Sequence, residues 1–176
     1  MVLRTVAVAL VAAAVLNIAC VDCFKPIPST LDEDVDWKHF DGHSYVFIEE
    51  RMGWDEARKR CRRMDADLAS VHSEEENKFI YELIKLPYTY LGKLRAKNFT
   101  WDQHAWIGLN RRNGSWEWSD DTPLDFKYWD ETRLEPNNFI PEEECAEMLA
   151  DRADGGHWAD VGCSMQDRGF ICKIDE

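Results

Sequence analysis

Three sets of residues in this 176-residue chain could do chemistry. The first is six cysteines: Cys20, Cys23, Cys61, Cys145, Cys163 and Cys172. In an oxidising compartment an even number pairs into disulfides, and the four in the body of the chain allow three connectivities that arithmetic leaves open. The second set lies between Asp120 and Pro141, a run of Asp, Pro and Asn with little regular structure, followed by Glu142, Glu143 and Glu144. A loop that long inside a compact domain is usually functional. The third set is a pair of acceptor tripeptides for N-glycosylation, Asn98-Phe99-Thr100 and Asn113-Gly114-Ser115, usable only in the secretory pathway. No Ser/His or Cys/His nucleophile constellation is present. His104 and His157 have no metal-ligand spacing with cysteine or with each other. Binding, not catalysis, is the expectation, and the chain is not read as an enzyme.

Composition narrows the partners. The formal net charge is −13, and residues 1–23 carry one cation (Arg4) and one anion (Asp22), so their removal leaves it unchanged. A body this acidic repels phosphate backbones, which excludes nucleic acid, and is compatible with divalent cations. Arg4 precedes an apolar run from Val6 to Leu16 that is too short for a stable membrane anchor and reads as a secretory signal peptide. Small residues suit signal peptidase after either Cys20 or Cys23. No second apolar stretch of membrane length follows. The expectation is a secreted, extracellular protein without membrane insertion: signal peptide 1–23, short acidic tail 24–36, and one domain over 37–174.

The elements that must carry these groups can be read from periodicity. Ser44 to Ile48 is rich in aromatic and β-branched residues and predicts a strand. Trp54, Ala57, Cys61 and Met64 recur at helical spacing. A second helix is predicted from Ser73, where Ser73 and Glu76 form a capping box, with Phe79, Ile80 and Leu83 as its apolar stripe and Pro87 as its stop. Ala105 to Leu109 is a short apolar run, and Trp116 and Trp118 alternate with polar residues as in a half-buried strand. Cys145–Leu149, His157–Cys163 and Gly169–Ile174 are the remaining strand candidates. Trp106, Trp116 and Trp158 are expected in the core.

Trp106-Ile107-Gly108-Leu109 resembles the WIGL signature of C-type lectin-like domains. Around it stand Trp54-x-x-Ala57-x-x-x-Cys61, Leu68-Ala69-Ser70-Val71-His72, Trp116-x-Trp118-Ser119-Asp120 and the spaced Cys145, Cys163 and Cys172. The shared order and spacing extend from about Trp37 to Ile174. The resemblance implies an α+β fold: two helices flanking antiparallel sheets, with a long irregular calcium- and sugar-binding loop. It also implies the pairings Cys61–Cys172 and Cys145–Cys163.

Within that resemblance, Glu135-Pro136-Asn137 matches the EPN motif of mannose-type members. There a cis proline turns the flanking Glu and Asn oxygens toward one calcium ion, and Glu143 and Asp160 occupy the positions of further ligands. Calcium takes six to eight hard oxygen donors. The departure is Ala159, which stands where the family has an Asn that contributes to both ion and sugar, so the expected Ca2+ site is weakened. The implied carbohydrate-binding set is Glu135, Asn137, Glu143, Asp160 and Phe139, the last packing on a sugar's apolar face. The implied partners are glycans with mannose-type vicinal hydroxyls on microbial or cell surfaces, as in innate immunity. A single site of this kind binds weakly, so a homo-oligomer or a multivalent surface would supply avidity. Glu135, Glu143 and Asp160 could in principle serve a glycosidase, but all three have a better use as calcium ligands. The alternative raised by Ala159 is a domain that keeps the fold, has lost calcium and sugar, and binds a protein or other surface.

Overall fold

The computed structural model describes residues 35–85, 104–140, 142–150 and 155–175. The signal peptide, all but the last two residues of the tail, the Pro87 helix stop and the Asn98 acceptor lie outside the described residues.

Apolar alternation and tight turns set the strands. Strands β1 (Lys38–Phe40) and β2 (His43–Ile48) form a hairpin across Asp41 and Gly42, both at positive φ (46° and 77°), as the right-handed twist of a two-residue turn demands. Helix α1 (Trp54–Arg62) buries Trp54, Ala57 and Cys61 on the predicted stripe. The short β3 (Asp67–Leu68) leads to α2 (Glu74–Lys85). Then come β4 (His104–Arg112), β5 (Ser115–Trp118), β6 (Cys145–Leu149), β7 (Trp158–Val161) and β8 (Gly169–Asp175).

These strands make one sheet in the order β1-β2-β8-β4-β6-β7, with β3 added on β8 and β5 on β4. The pairings are antiparallel except one: β4 and β8 run parallel through Ala105↔Gly169 and Trp106↔Phe170. The sheet is therefore mixed, because β8 arrives between β2 and β4 and can oppose only one of them. Gly169 lets it in. A Cβ there would lie 2.6 Å from the Phe47 ring and 2.8 Å from the Ile48 carbonyl.

The core falls on both sides of the sheet. One cluster gathers Ile80, Ile84, Ile107, Trp118, Met148 and Trp158; the other gathers Trp54, Trp106, Phe170 and the Cys61–Cys172 bridge. Trp106 and Trp158 are fully buried as expected, and Trp116 packs partly buried against Trp129 at 5.0 Å. Both disulfides form with the implied pairing, Cys61–Cys172 and Cys145–Cys163.

The second helix starts differently in detail from the predicted box. The Glu76 amide donates to Ser73 Oγ at 3.1 Å, which is the expected half. The Glu76 carboxylate turns inward instead, accepting from His72 N at 2.7 Å, Tyr45 OH at 2.6 Å and Lys173 Nζ at 2.8 Å. Burial pushes this carboxyl up, but the bonds from Lys173, Tyr45 and the His72 amide outweigh it and hold it below the usual glutamate range. It joins α2 to β2 and β8 through a buried ion pair.

Candidate functional site

The long loop leaves β5 and returns into β6, and Asp130 anchors it. This buried carboxylate accepts from Thr132 N at 3.0 Å, Thr132 Oγ1 at 2.5 Å and Arg133 N at 3.3 Å, capping a 3-10 turn over Glu131–Arg133. Its own amide donates to the Trp158 carbonyl and its carbonyl accepts from Glu135 N, at 2.9 and 3.0 Å. Trp129 and Phe126 pack edge-on to Trp158 at 5.8 Å each. The base of the loop is thus fixed to β7, next to the residues that matter.

Beyond it the Glu135–Pro136 bond is cis. Asp160, buried on β7, gathers the next two amides: Asn137 N donates to Oδ1 at 2.8 Å and Asn138 N to Oδ2 at 2.9 Å. Glu143, also buried, accepts from Ile140 N at 3.1 Å while its amide donates to Asn138 Oδ1 at 3.3 Å. The Cys145–Cys163 bridge lies two residues beyond Glu143 and three beyond Asp160, tying the start of β6 to the segment that follows β7. The sequence-predicted residues Glu135, Asn137, Glu143 and Asp160 therefore share one small region.

The electrostatics there are unbalanced. Burial, a hydrogen bond with Asp160 and that residue's charge push the Glu135 carboxyl up to about 8, although a bond from the Asp160 backbone opposes them; Glu143 adds repulsion. One oxygen of this group, Oε2, is buried without a partner. A buried carboxylate oxygen with no donor and two like-charged neighbours is a place where a cation is favourable. The donors fit calcium in chemistry: hard oxygens, a carboxyl crowded by carboxyls, and a loop that fixes them. They do not fully surround a point. Among the described residues no three His, Cys, Asp or Glu side chains form a ready metal cluster, and two oxygens of Asp160 already hold amides. Ala159, 5% exposed and paired opposite Glu147, brings no polar side-chain atom.

Asn137 is engaged on both sides of its amide. Oδ1 accepts from Phe139 N at 2.7 Å and Nδ2 donates to the Arg133 carbonyl at 3.3 Å. A carboxamide oxygen has two lone pairs and its nitrogen two hydrogens, so one acceptor and one donor position remain. Phe139 is 86% exposed, so packing within the loop does not account for it. Asn113 is exposed at the β4–β5 turn.

Sequence reasoning missed Asp130 and Asn138, which shape the loop through side-chain bonds to backbone. It also gave His104 no role. His104 Nδ1 lies 2.9 Å from Glu147 Oε1, and Glu147 also pairs with Arg168, a largely buried charge group that links β4, β6 and the residue before β8.

A mixed sheet with two helices, two disulfides and a long loop carrying a carboxylate-and-amide set defines a binding domain of the C-type lectin class. Residues 50–174 match the family described as Lectin C-type domain, and the chain belongs to that family. It is 32% identical over 141 residues to Rheacalcin-2 of Rhea americana, covering 78% of this chain and 92% of that one. Among solved structures it resembles the cow carbohydrate-recognition domain of CD23 in the presence of a GlcNAc2Man3 oligosaccharide, at 30% identity and a TM-score of 0.62 over 80% of this chain and 93% of the other. It is also similar in shape to a calcium-independent type II antifreeze protein, at 26% identity and a TM-score of 0.60 over 79% of this chain and 91% of the other. The family consists of binding domains, and the chain is not an enzyme. Among the described residues no helix is long and apolar enough to cross a membrane.

Proposed function

We propose that this chain is a secreted, calcium-dependent lectin that binds glycans bearing mannose-type vicinal hydroxyls. The observation that carries the reading is the Glu135 carboxyl, with one buried oxygen unpartnered, pressed against Asp160 and near Glu143, beside an Asn137 amide with one donor and one acceptor position free. Calcium held by Glu135, Asn137, Glu143 and Asp160 supplies coordination positions for a pair of hydroxyls. Glu135 accepts a hydrogen bond from one hydroxyl and Asn137 Nδ2 donates to the other. Phe139 offers its ring to the sugar's apolar face. Glycosylation at Asn98 and Asn113 and avidity through several copies complete this reading.

A second reading rests on Ala159: the loop keeps its shape but binds a protein or other surface without calcium. Calorimetric titration of calcium into the chelator-stripped domain, with and without mannose, separates the two. Calcium binding that mannose strengthens supports the lectin. No heat at millimolar calcium rejects it in favour of the second.

A further inference from the structure

The surface of α1 opposes the charge of the chain that carries it. Residues 51–63 hold six cations, Arg51, Arg58, Lys59, Arg60, Arg62 and Arg63, and two anions, Asp55 and Glu56, while the net charge is −13. The helix sorts them. Asp55 and Glu56 lie in its first turn, Lys59, Arg60 and Arg62 in its last, and Arg63 caps it with helical dihedrals. The Arg63 amide donates to the Lys59 carbonyl at 3.3 Å, so residues 59–63 close one helical turn. Positions three and four apart share a helix face, which makes neighbours of Lys59, Arg62 and Arg63, and all three are exposed. Arg58 and Arg62 both reach Asp67, at 3.0 and 3.1 Å, so one carboxylate serves two guanidiniums. Lys59 and Arg63 have no ion-pair partner among the described residues. The buried side of the helix holds this turn in place: Cys61 is bridged to Cys172, and Trp54 Nε1 donates to the Ile107 carbonyl at 2.8 Å.

A cluster of Lys and Arg on one face is the footprint of a polyanion, and its size and setting select which. The acidic remainder of the protein is screened beyond about 8 Å at physiological ionic strength. Asp55 lies about 6 Å back along the axis from Lys59, and Asp67 is already occupied by Arg58 and Arg62. A thin, flexible chain can touch the cations alone, whereas a flat anionic membrane or a rigid duplex would also face the acidic surroundings. A protein partner is disfavoured because the exposed residues of this helix and its cap, Asp55, Glu56, Lys59, Arg62 and Arg63, are all charged, and interface centres are depleted of charge. The guanidinium fork matches tetrahedral oxyanions. We propose that the C-terminal turn of α1 binds a sulfated polysaccharide of the glycosaminoglycan class, with Lys59, Arg62 and Arg63 on its sulfates. The site needs neither calcium nor the loop residues and is independent of the lectin reading.

The test titrates a heparin octasaccharide into the full chain by calorimetry, in chelator and at several salt concentrations. Binding at physiological salt is expected, with a log–log salt slope of about −2 for three neutralised cations. The double variant Lys59→Ser, Arg63→Ser is expected to melt as the parent does and to bind about tenfold more weakly. Asp65→Asn removes an exposed acid two residues beyond Arg63, at a φ of 55° that asparagine tolerates, and is expected to tighten binding about twofold. No binding by the parent, or unchanged affinity in the double variant, overturns the proposal. Binding that requires calcium moves the sulfated chain to the loop and overturns it too, as does equal binding of fully desulfated heparin. Equal affinity for single-stranded DNA or poly-glutamate, or retention on phosphatidylserine vesicles at the same salt, makes the turn a general polyanion site and overturns the assignment to a sulfated polysaccharide.

Discussion

Ala159→Asn is the substitution that most directly interrogates the loop. It adds a carboxamide one residue before Asp160, the carboxylate that collects the Asn137 and Asn138 amides. An oxygen bonded to a charged centre contributes about 1.5–3 kcal/mol, which is roughly 10- to 150-fold in calcium affinity. The same change crowds a position only 5% exposed, and overpacking costs about 1–3 kcal/mol. The two effects have opposite signs in different states. Without calcium the variant should melt several degrees lower, and with saturating calcium it should regain or exceed the parent, because a ligand stabilises only the state that binds it. Thermal melts across a calcium titration, with calorimetry for the affinity, read both at once. There is a definite way to fail. Consecutive side chains of a regular strand leave on opposite faces, and if β7 stays regular through 159 and 160 the new amide cannot join Asp160. Calcium affinity unchanged in a folded variant refutes the assignment of Ala159 to the ion's shell.

Other outcomes follow from named contacts. Exchanging acceptor and donor with Glu135→Gln and Asn137→Asp should move preference from mannose toward galactose in a glycan inhibition assay; loss of all binding would undercut the specificity argument alone. Glu76→Gln should cost about 3–5 kcal/mol at pH 7, since it strands the Lys173 ammonium in the core. The Glu76 carboxyl titrates lower in the fold than its ordinary 4.5, so its stabilisation is complete above that value and lost as pH falls through the folded one. Urea melts from pH 7 to 3 should show the parent and variant converging toward acid, and a constant gap would contradict the shift. Gly108→Ala should cost about 2–3 kcal/mol in the same assay, because its Cβ would lie 2.6 Å from the Leu68 carbonyl and 3.2 Å from that of Ala69; a loss under half a kilocalorie would show that β3 gives way freely.

Periodicity and punctuation made much of this fold legible. Both helices, and strands β2, β4, β5, β6, β7 and β8, lie where the apolar patterns place them: the helices through a stripe buried against the core, and strands β4, β6, β7 and β8 through near-continuous apolar runs buried on both faces. Strands β1 and β3, of three and two residues, are too short to leave a pattern and exist through pairing with distant partners. Glu76 reads locally as a cap, and only the arrival of Tyr45 and Lys173 turns it into a core ion pair. In the loop the motif residues Glu135, Asn137, Glu143 and Asp160 could be named in advance. Asp130 and Asn138 could not. Short polar residues that bond to nearby backbone abound there, and which of them does so depends on the path of the whole loop. The exposure of Leu134 and Ile140 was equally hidden, since composition marks them as core.

The position of β8 has a temporal consequence. It is the last of the described strands and sits between β2 and β4, while Cys172 within it bridges back across 111 residues to Cys61. Until the ribosome has released residues 169–175, β2 and β4 have nothing to join them, and the nascent chain can hold only its local helices and hairpins. Non-local pairing of this kind makes for slow folding. A frameshift or stop codon upstream of Gly169 would delete the middle of the sheet, leaving two unpaired edges and an orphaned thiol at Cys61 for quality control to recognise.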